Sequence, residues 1–190
     1  MSQGIQIKIL TAEDPEFSAR IPALARLRIT VFREFPYLYG GSLEYEEKYL
    51  STYRDCKESV VALALDGDEV IGASTALPLA AESAQVTRAF EQQPYPLNEI
   101  FYCGESILLP SYRGRGIYRE FFAAREQHAR KLGGFRWITL CAVVRASDHP
   151  RRPRDFVPLN AIWRKFGYTQ YSELRTTFEW QDLDEAGGHG

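Results

Sequence analysis

Cysteine is scarce. The three that are present, Cys56, Cys103 and Cys141, are odd in number and far apart, with no CxxC pair and no neighbouring histidine. That spacing excludes a disulfide framework and a cysteine-based zinc site, so the thiols read as reduced and largely buried, and no metal is expected. An excess of either charge is also missing: 23 Lys and Arg stand against 25 Asp and Glu, a formal charge of −2. Nothing global draws the chain to nucleic acid or anionic lipid, and neither is expected as a partner. No apolar run approaches the ~18–20 residues of a membrane span, and Met1 to Leu10 lacks the basic start and apolar stretch of a secretory signal, so a cytoplasmic location is expected. Internal repeats, low-complexity tracts and inter-domain linkers are absent as well. What is plentiful is apolar and aromatic matter, 45% and 13% of the chain, enough for one sizeable core. The expectation is one domain over residues 1–181 with a flexible tail at 182–190, as a monomer or homodimer.

The apolar period changes along the chain. Ile5, Ile7 and Ile9 alternate with polar residues and predict a first strand over Gln6 to Leu10. Ile21, Leu24, Leu27, Val31 and Phe35 recur at three- and four-residue steps, predicting a helix from Ser18 to Phe35 that Pro36 ends. After the aromatic turn Phe35-Pro36-Tyr37-Leu38-Tyr39-Gly40-Gly41 a second helix is predicted over 42–55. Ser59 to Leu65 and Val70 to Leu77 read as a hairpin around Asp66-Gly67-Asp68. A short helix is predicted over Ser83 to Gln92, a strand over Ile100 to Leu109, a helix over Ile117 to Leu132 stopped by Gly133-Gly134, and a strand over Phe135 to Val144. A Pro- and Arg-rich loop, a helix over Leu159 to Phe166 and two strands, Tyr168 to Glu173 and Arg175 to Trp180, complete a mixed α/β pattern.

The chemically informative stretch is Pro110-Ser111-Tyr112-Arg113-Gly114-Arg115-Gly116-Ile117-Tyr118, between a strand and a helix. A glycine-rich turn entering a helix gathers unpaired N–H groups at the positive end of the helix dipole. Gly114 and Gly116 permit close approach of a pyrophosphate, and Arg113 and Arg115 add charge-assisted contacts. Alone, an Arg-Gly-Arg-Gly turn serves equally well as a solvated loop.

Its context distinguishes it. The stretch LLPSYRGRGIYREFF resembles the acyl-coenzyme A pyrophosphate motif of the GNAT N-acyltransferase superfamily, [Q/R]-x-x-G-x-[G/A], with Arg113 and Gly116 matching and Tyr118 standing where the family usually has Gly or Ala. Asn160-Ala161-Ile162-Trp163-Arg164-Lys165-Phe166-Gly167-Tyr168 resembles the family's A-x-x-L-Y-x-K-x-G-F segment, with Trp163 at the Tyr that often serves as general acid. The resemblance implies a central, mostly antiparallel sheet with splayed strands and flanking helices. It also implies binding of acetyl-CoA, or another acyl-CoA, by the loop residues Arg113, Gly114, Arg115, Gly116, Ile117 and Tyr118 and by the backbone of Leu108 and Leu109. The implied activity is acyl transfer to the primary amine of a small molecule, with a non-catalytic acyl-CoA sensor of the same fold as the alternative.

Glu105 lies mid-strand in an apolar run, where an ionised carboxylate is costly without a cleft or a partner. It is the candidate general base, with a structural salt bridge as the competing reading. An indole N–H is no usable acid, so a phenol, Tyr168, Tyr118 or Tyr102, or water must replace the family's acid; Tyr168 is the candidate. Tyr37 and Tyr39 of the aromatic turn, and Arg145 at the start of the arginine-rich loop, are the candidate acceptor-binding residues.

Overall fold

Gly67 takes φ +60, the left-handed geometry a tight hairpin demands, and folds β2 (Val60–Asp66) onto β3 (Glu69–Pro78). β1 (Gln6–Thr11) adds on one side, β4 (Ile100–Leu108) and then β5 (Trp137–Leu140) on the other, giving a five-stranded sheet in the order β1-β2-β3-β4-β5. Strands β1 to β4 run antiparallel, and β5 lies parallel to β4. The architecture is seen in a computed structural model that describes residues 4–183. It is the mixed α/β sheet with flanking helices that the sequence predicts.

Two layers cover the sheet. On one face lie α1 (Pro15–Phe32) and α2 (Leu43–Asp55); on the other lies α4 (Ile117–Leu132). Proline at the first helical position costs α1 no hydrogen bond, and the Ser42 hydroxyl caps α2 by accepting from the Tyr45 amide at 3.3 Å. The inward stripe of α1 runs Phe17, Ile21, Leu24, Arg28, Phe32, and that of α2 runs Glu46, Leu50, Tyr53. Each stripe thus carries one charged residue at a core position.

Several predicted boundaries move. α1 begins at Pro15 and ends at Phe32, because the chain turns at Glu34, whose carbonyl accepts from the Tyr37 and Leu38 amides. The helix predicted over 83–92 shrinks to α3 (Ala84–Thr87) and a following 3-10 turn. β5 stops at Leu140, and the two C-terminal strands do not form. Beyond Leu140 no regular edge is offered to them; instead the Tyr168 amide folds back on the Trp163 carbonyl of α5 (Leu159–Lys165), and the Thr176 hydroxyl donates to the Gln85 carbonyl. Phe178 and Trp180 still pack against the α1/α2 core. Asp182 and Leu183, counted with the tail by the sequence, are held by a bridge to Tyr39 and a bond to the Leu38 carbonyl; residues 184–190 lie outside the described residues. No described helix is long and apolar enough to cross a membrane.

Candidate active site

The turn before α4 has the geometry its glycines allow. Gly114 and Gly116 sit at φ +77 and +83, and a Cβ built on either meets nothing within 4 Å. Arg113 is not part of the free set, since its amide donates to the Pro110 carbonyl at 3.2 Å. From Gly114 to Tyr118, however, the amides donate to no main-chain carbonyl among the described residues. A row of unpaired donors therefore lies at the positive end of a sixteen-residue helix, with Gly114, Arg115 and Gly116 exposed. Arg113 bonds Glu34 at 2.8 Å and the Leu108 carbonyl at 3.3 Å, and Arg115 bonds the Ser111 carbonyl at 3.0 Å. Both partners of the Arg113–Glu34 pair are more than 40% exposed; such a pair contributes under about 1 kcal/mol, so the guanidinium is readily released to a phosphate. These features fit a diphosphate group.

Next to the loop the sheet opens. β5 pairs with β4 only from Ile100↔Trp137 to Cys103↔Leu140, leaving the outer edge of β4 from residue 104 to residue 108 without a strand partner among the described residues. A bulge starts the opening: Thr75 faces Glu105 while Ala76 faces Cys103, so Gly104 is the extra residue. It also changes sides. Before the bulge Tyr102 packs toward α1 and α2 while Cys103 packs toward α4; after it Ile107 and Glu105 return to the α1/α2 face. Were Gly104 instead an ordinary pleated residue, with no bulge, Glu105 would point at α4. Gly104 is required there, because a Cβ would lie 2.0 Å from the Tyr53 hydroxyl. The Leu109 amide donates to the Ile71 carbonyl of β3 and its carbonyl accepts from Tyr112, so Leu109 does not offer the backbone groups expected of it. Strand alternation turns Leu108 the other way, toward the open edge.

Glu105 is buried, 9% exposed, and its Oε2 is paired with Nη1 of Arg28, while Nε of Arg28 pairs with Glu46. The competing salt-bridge reading is thus realised, with a helix arginine instead of one from the next strand or loop. Burial pushes the Glu105 carboxyl above the usual range and Arg28 pulls it back, with a net upward direction. Glu105 Oε1 has no hydrogen-bond partner among the described residues. Arg28 and Glu46 escaped the sequence reading, although a charge at a core position of an amphipathic helix was a visible signal for both.

The phenols divide. Tyr168 donates to Glu126 at 3.2 Å and packs on Phe122 of α4, across the sheet from Glu105; the structure does not bring these two candidates together. Burial, then Cys103 and Glu126, push its phenol far up. Tyr118 is rotated off the loop mouth onto Phe122, and its hydroxyl accepts from the Trp163 indole at 2.9 Å. Burial raises the Tyr118 phenol, while the bonds to Trp163 and Ser106 work against that rise. Tyr102 meets Cys141 Sγ at 2.9 Å. Tyr37, tilted against Phe32 with ring centroids 4.4 Å apart, has its phenol raised by burial and then by Cys141, Tyr118 and Glu105. Tyr39 instead belongs to the core, at 9% exposure. Arg145, the candidate acceptor residue of the arginine-rich loop, donates to the Pro36 and Tyr37 carbonyls at 2.9 and 2.8 Å and pairs with Asp182, so its guanidinium joins the aromatic turn to Asp182. An open hollow of about 830 Å³ lined by Thr52, Asp55, Cys56, Lys57, Glu58 and Ala81 contains none of the candidate residues.

No known family model and no curated protein matches the sequence. Solved structures do match. The aminoglycoside N-acetyltransferase AAC(6')-Iy, in complex with CoA, is similar over 94% of this chain and 95% of its own, at 15% identity and a TM-score of 0.57. An aminoglycoside acetyltransferase from an uncultured soil metagenomic sample is similar over 94% and 96%, at 18% identity and a TM-score of 0.55. A GNAT-family acetyltransferase from Streptococcus pneumoniae is similar over 94% and 98%, at 19% identity and a TM-score of 0.52. The fold is that of the GNAT acetyltransferases.

Proposed function

We propose that this chain, carrying the fold of the GNAT acetyltransferases, transfers an acyl group, acetyl by default, from acyl-CoA to the primary amine of a small molecule by direct attack in a ternary complex. The observation that carries this reading is the run of free amides from Gly114 to Tyr118, adjoining the unpaired edge of β4. An acyl-CoA bound there supplies an activated thioester. The amides and the Arg113 and Arg115 guanidinium groups hold the diphosphate, and the outward backbone of Leu108 lines the arm's path beside the open edge. Glu105 receives the proton of the acceptor ammonium through Oε1, directly or by way of one water, since Oε2 is tied to Arg28. Tyr118, not Tyr168, returns a proton to the departing thiolate, and Tyr37 walls the acceptor side.

A second reading, an acyl-CoA-binding module without catalysis, is favoured by the ion pairing of Glu105 and by an indole in place of the usual acid. Calorimetric titration with CoA, run beside a free-thiol release assay over a panel of amines, separates the two. Binding with amine-dependent thiol release is expected. Binding with no release from any amine selects the module, and no binding at all removes both.

A further inference from the structure

Arg28 stands between two carboxylates that arrive from different elements. Nη1 reaches Glu105 of β4 and Nε reaches Glu46 of α2, while the Phe32 and Tyr49 rings lie 5.0 and 4.4 Å from the guanidinium carbon. Arg28, Glu46 and Glu105 are 7%, 0% and 9% exposed. One cation shared by two ionised carboxylates leaves the trio one negative charge in excess. Moreover, Oε1 of each carboxylate is buried with no partner at hydrogen-bond distance among the described residues, although the Tyr39 phenol also lies against the Glu46 carboxylate. An arrangement that served stability alone would be expected to satisfy both oxygens.

The remaining groups facing Glu105 add no second cation to its carboxylate. From α2 come the Tyr49 and Tyr53 hydroxyls, bonded to each other at 3.0 Å and to Glu82, which follows β3. From the turn after α1 comes Tyr37. From α4, across the sheet, Arg125 reaches the Glu105 main-chain carbonyl at 3.1 Å. Glu46 and Glu82 both favour the protonated form of Glu105, and Arg28 opposes it.

We infer that Arg28 and Glu46 are positioning residues for the base: Arg28 ties Oε2 of Glu105 and leaves Oε1 to take a proton, while Glu46 draws off part of the Arg28 charge and so keeps Glu105 basic. The inference rests on the reading of Glu105 as general base. Its logic is a competition. With Glu46 ionised, Arg28 is divided; with Glu46 neutral, the whole guanidinium charge acts on Glu105, which then holds a proton less well.

The test is a 13C-carboxyl NMR titration of the full chain, with the Glu105 signal assigned by its loss in Glu105→Gln, run beside pH profiles of kcat/KM. In Glu46→Gln the Glu105 midpoint and the acid limb of the profile are both expected to move down by roughly one pH unit. In Arg28→Gln both are expected to move up, and Arg28→Lys, which keeps the charge, to restore most of the wild-type position. Should Arg28→Gln fail to fold, Glu46→Gln decides alone, since it removes a charge without stranding a cation. A Glu105 midpoint that stays put in Glu46→Gln overturns the inference whatever the activity. A midpoint that moves while the acid limb stays put supports the coupling and overturns the base reading instead.

Discussion

Tyr118 and Trp163 each depart from the motif around them, and the folded chain brings the two departures together through the indole-to-hydroxyl bond at 2.9 Å. A donor on a phenol oxygen stabilises the phenolate more than the phenol, so it opposes the upward push of burial. If Tyr118 is the acid, Tyr118→Phe should lower kcat by about 100-fold, the low end for a lost general acid. Trp163→Phe should cost less and carry the basic limb of kcat to higher pH, because the undonated phenol keeps its proton longer. Wild-type kcat in Tyr118→Phe would assign the proton to solvent. At this scale the sequence was partly readable: Glu105 stood out as a carboxylate in an apolar strand. Its partner Arg28 did not, because a pairing across 77 residues depends on how α1 docks on β4, which residue spacing does not encode. The same holds for Arg145, whose carbonyl partners lie more than 100 residues away.

Among the elements, β4 depends most on a single position. Tyr53 is fully buried and bonded to Tyr49 and Glu82, so its hydroxyl cannot yield to a methyl group placed 2.0 Å away. Gly104→Ala should therefore destabilise the fold by about 2–3 kcal/mol in a denaturant titration, the upper part of the overpacking range. Adding Tyr53→Phe should recover part of that loss, a coupling that a double-mutant cycle reads directly; strictly additive costs would show that the bulge is not wedged by Tyr53. α4 offers a second test. His128 binds the Glu58 carbonyl at 3.0 Å, and burial lowers its pKa below the ordinary 6.5. Because the unfolded chain then binds the extra proton first, His128 supports the fold above pH 6.5 and withdraws that support as pH falls through the lower folded value. Melting temperature should drop over that acidic window in the wild type, and His128→Gln should flatten the drop. Helix and strand positions were legible wherever one apolar period ran unbroken, as in β1 to β4 and α4. The C-terminal strands were not, because strand character in Arg175 to Trp180 needs an edge to pair with, and β5 ends at Leu140.

For the whole molecule, a charge of −2 provides no overall attraction for the anionic donor of the proposed function, so that proposal places its recognition in the local field of the turn before α4. The turn supplies that field through its backbone amides, so the side chains around it matter less to it. Binding that favours the native state must also raise its stability: CoA at one hundred times its Kd should add about 2.7 kcal/mol, or roughly 5–10 °C in melting temperature for a chain of this size. Gly116→Val isolates the cause. At φ +83 a branched residue is strained by about 1–2 kcal/mol, yet its Cβ enters open space, so the unliganded protein should melt roughly 2–8 °C lower but still fold, while the turn loses its shape. The increment produced by CoA should then vanish. Adenosine, which lacks the diphosphate, should give the wild type little or no increment. An undiminished CoA increment in Gly116→Val, or a full increment from adenosine, would show that the donor is held elsewhere than on the amides of 114–118.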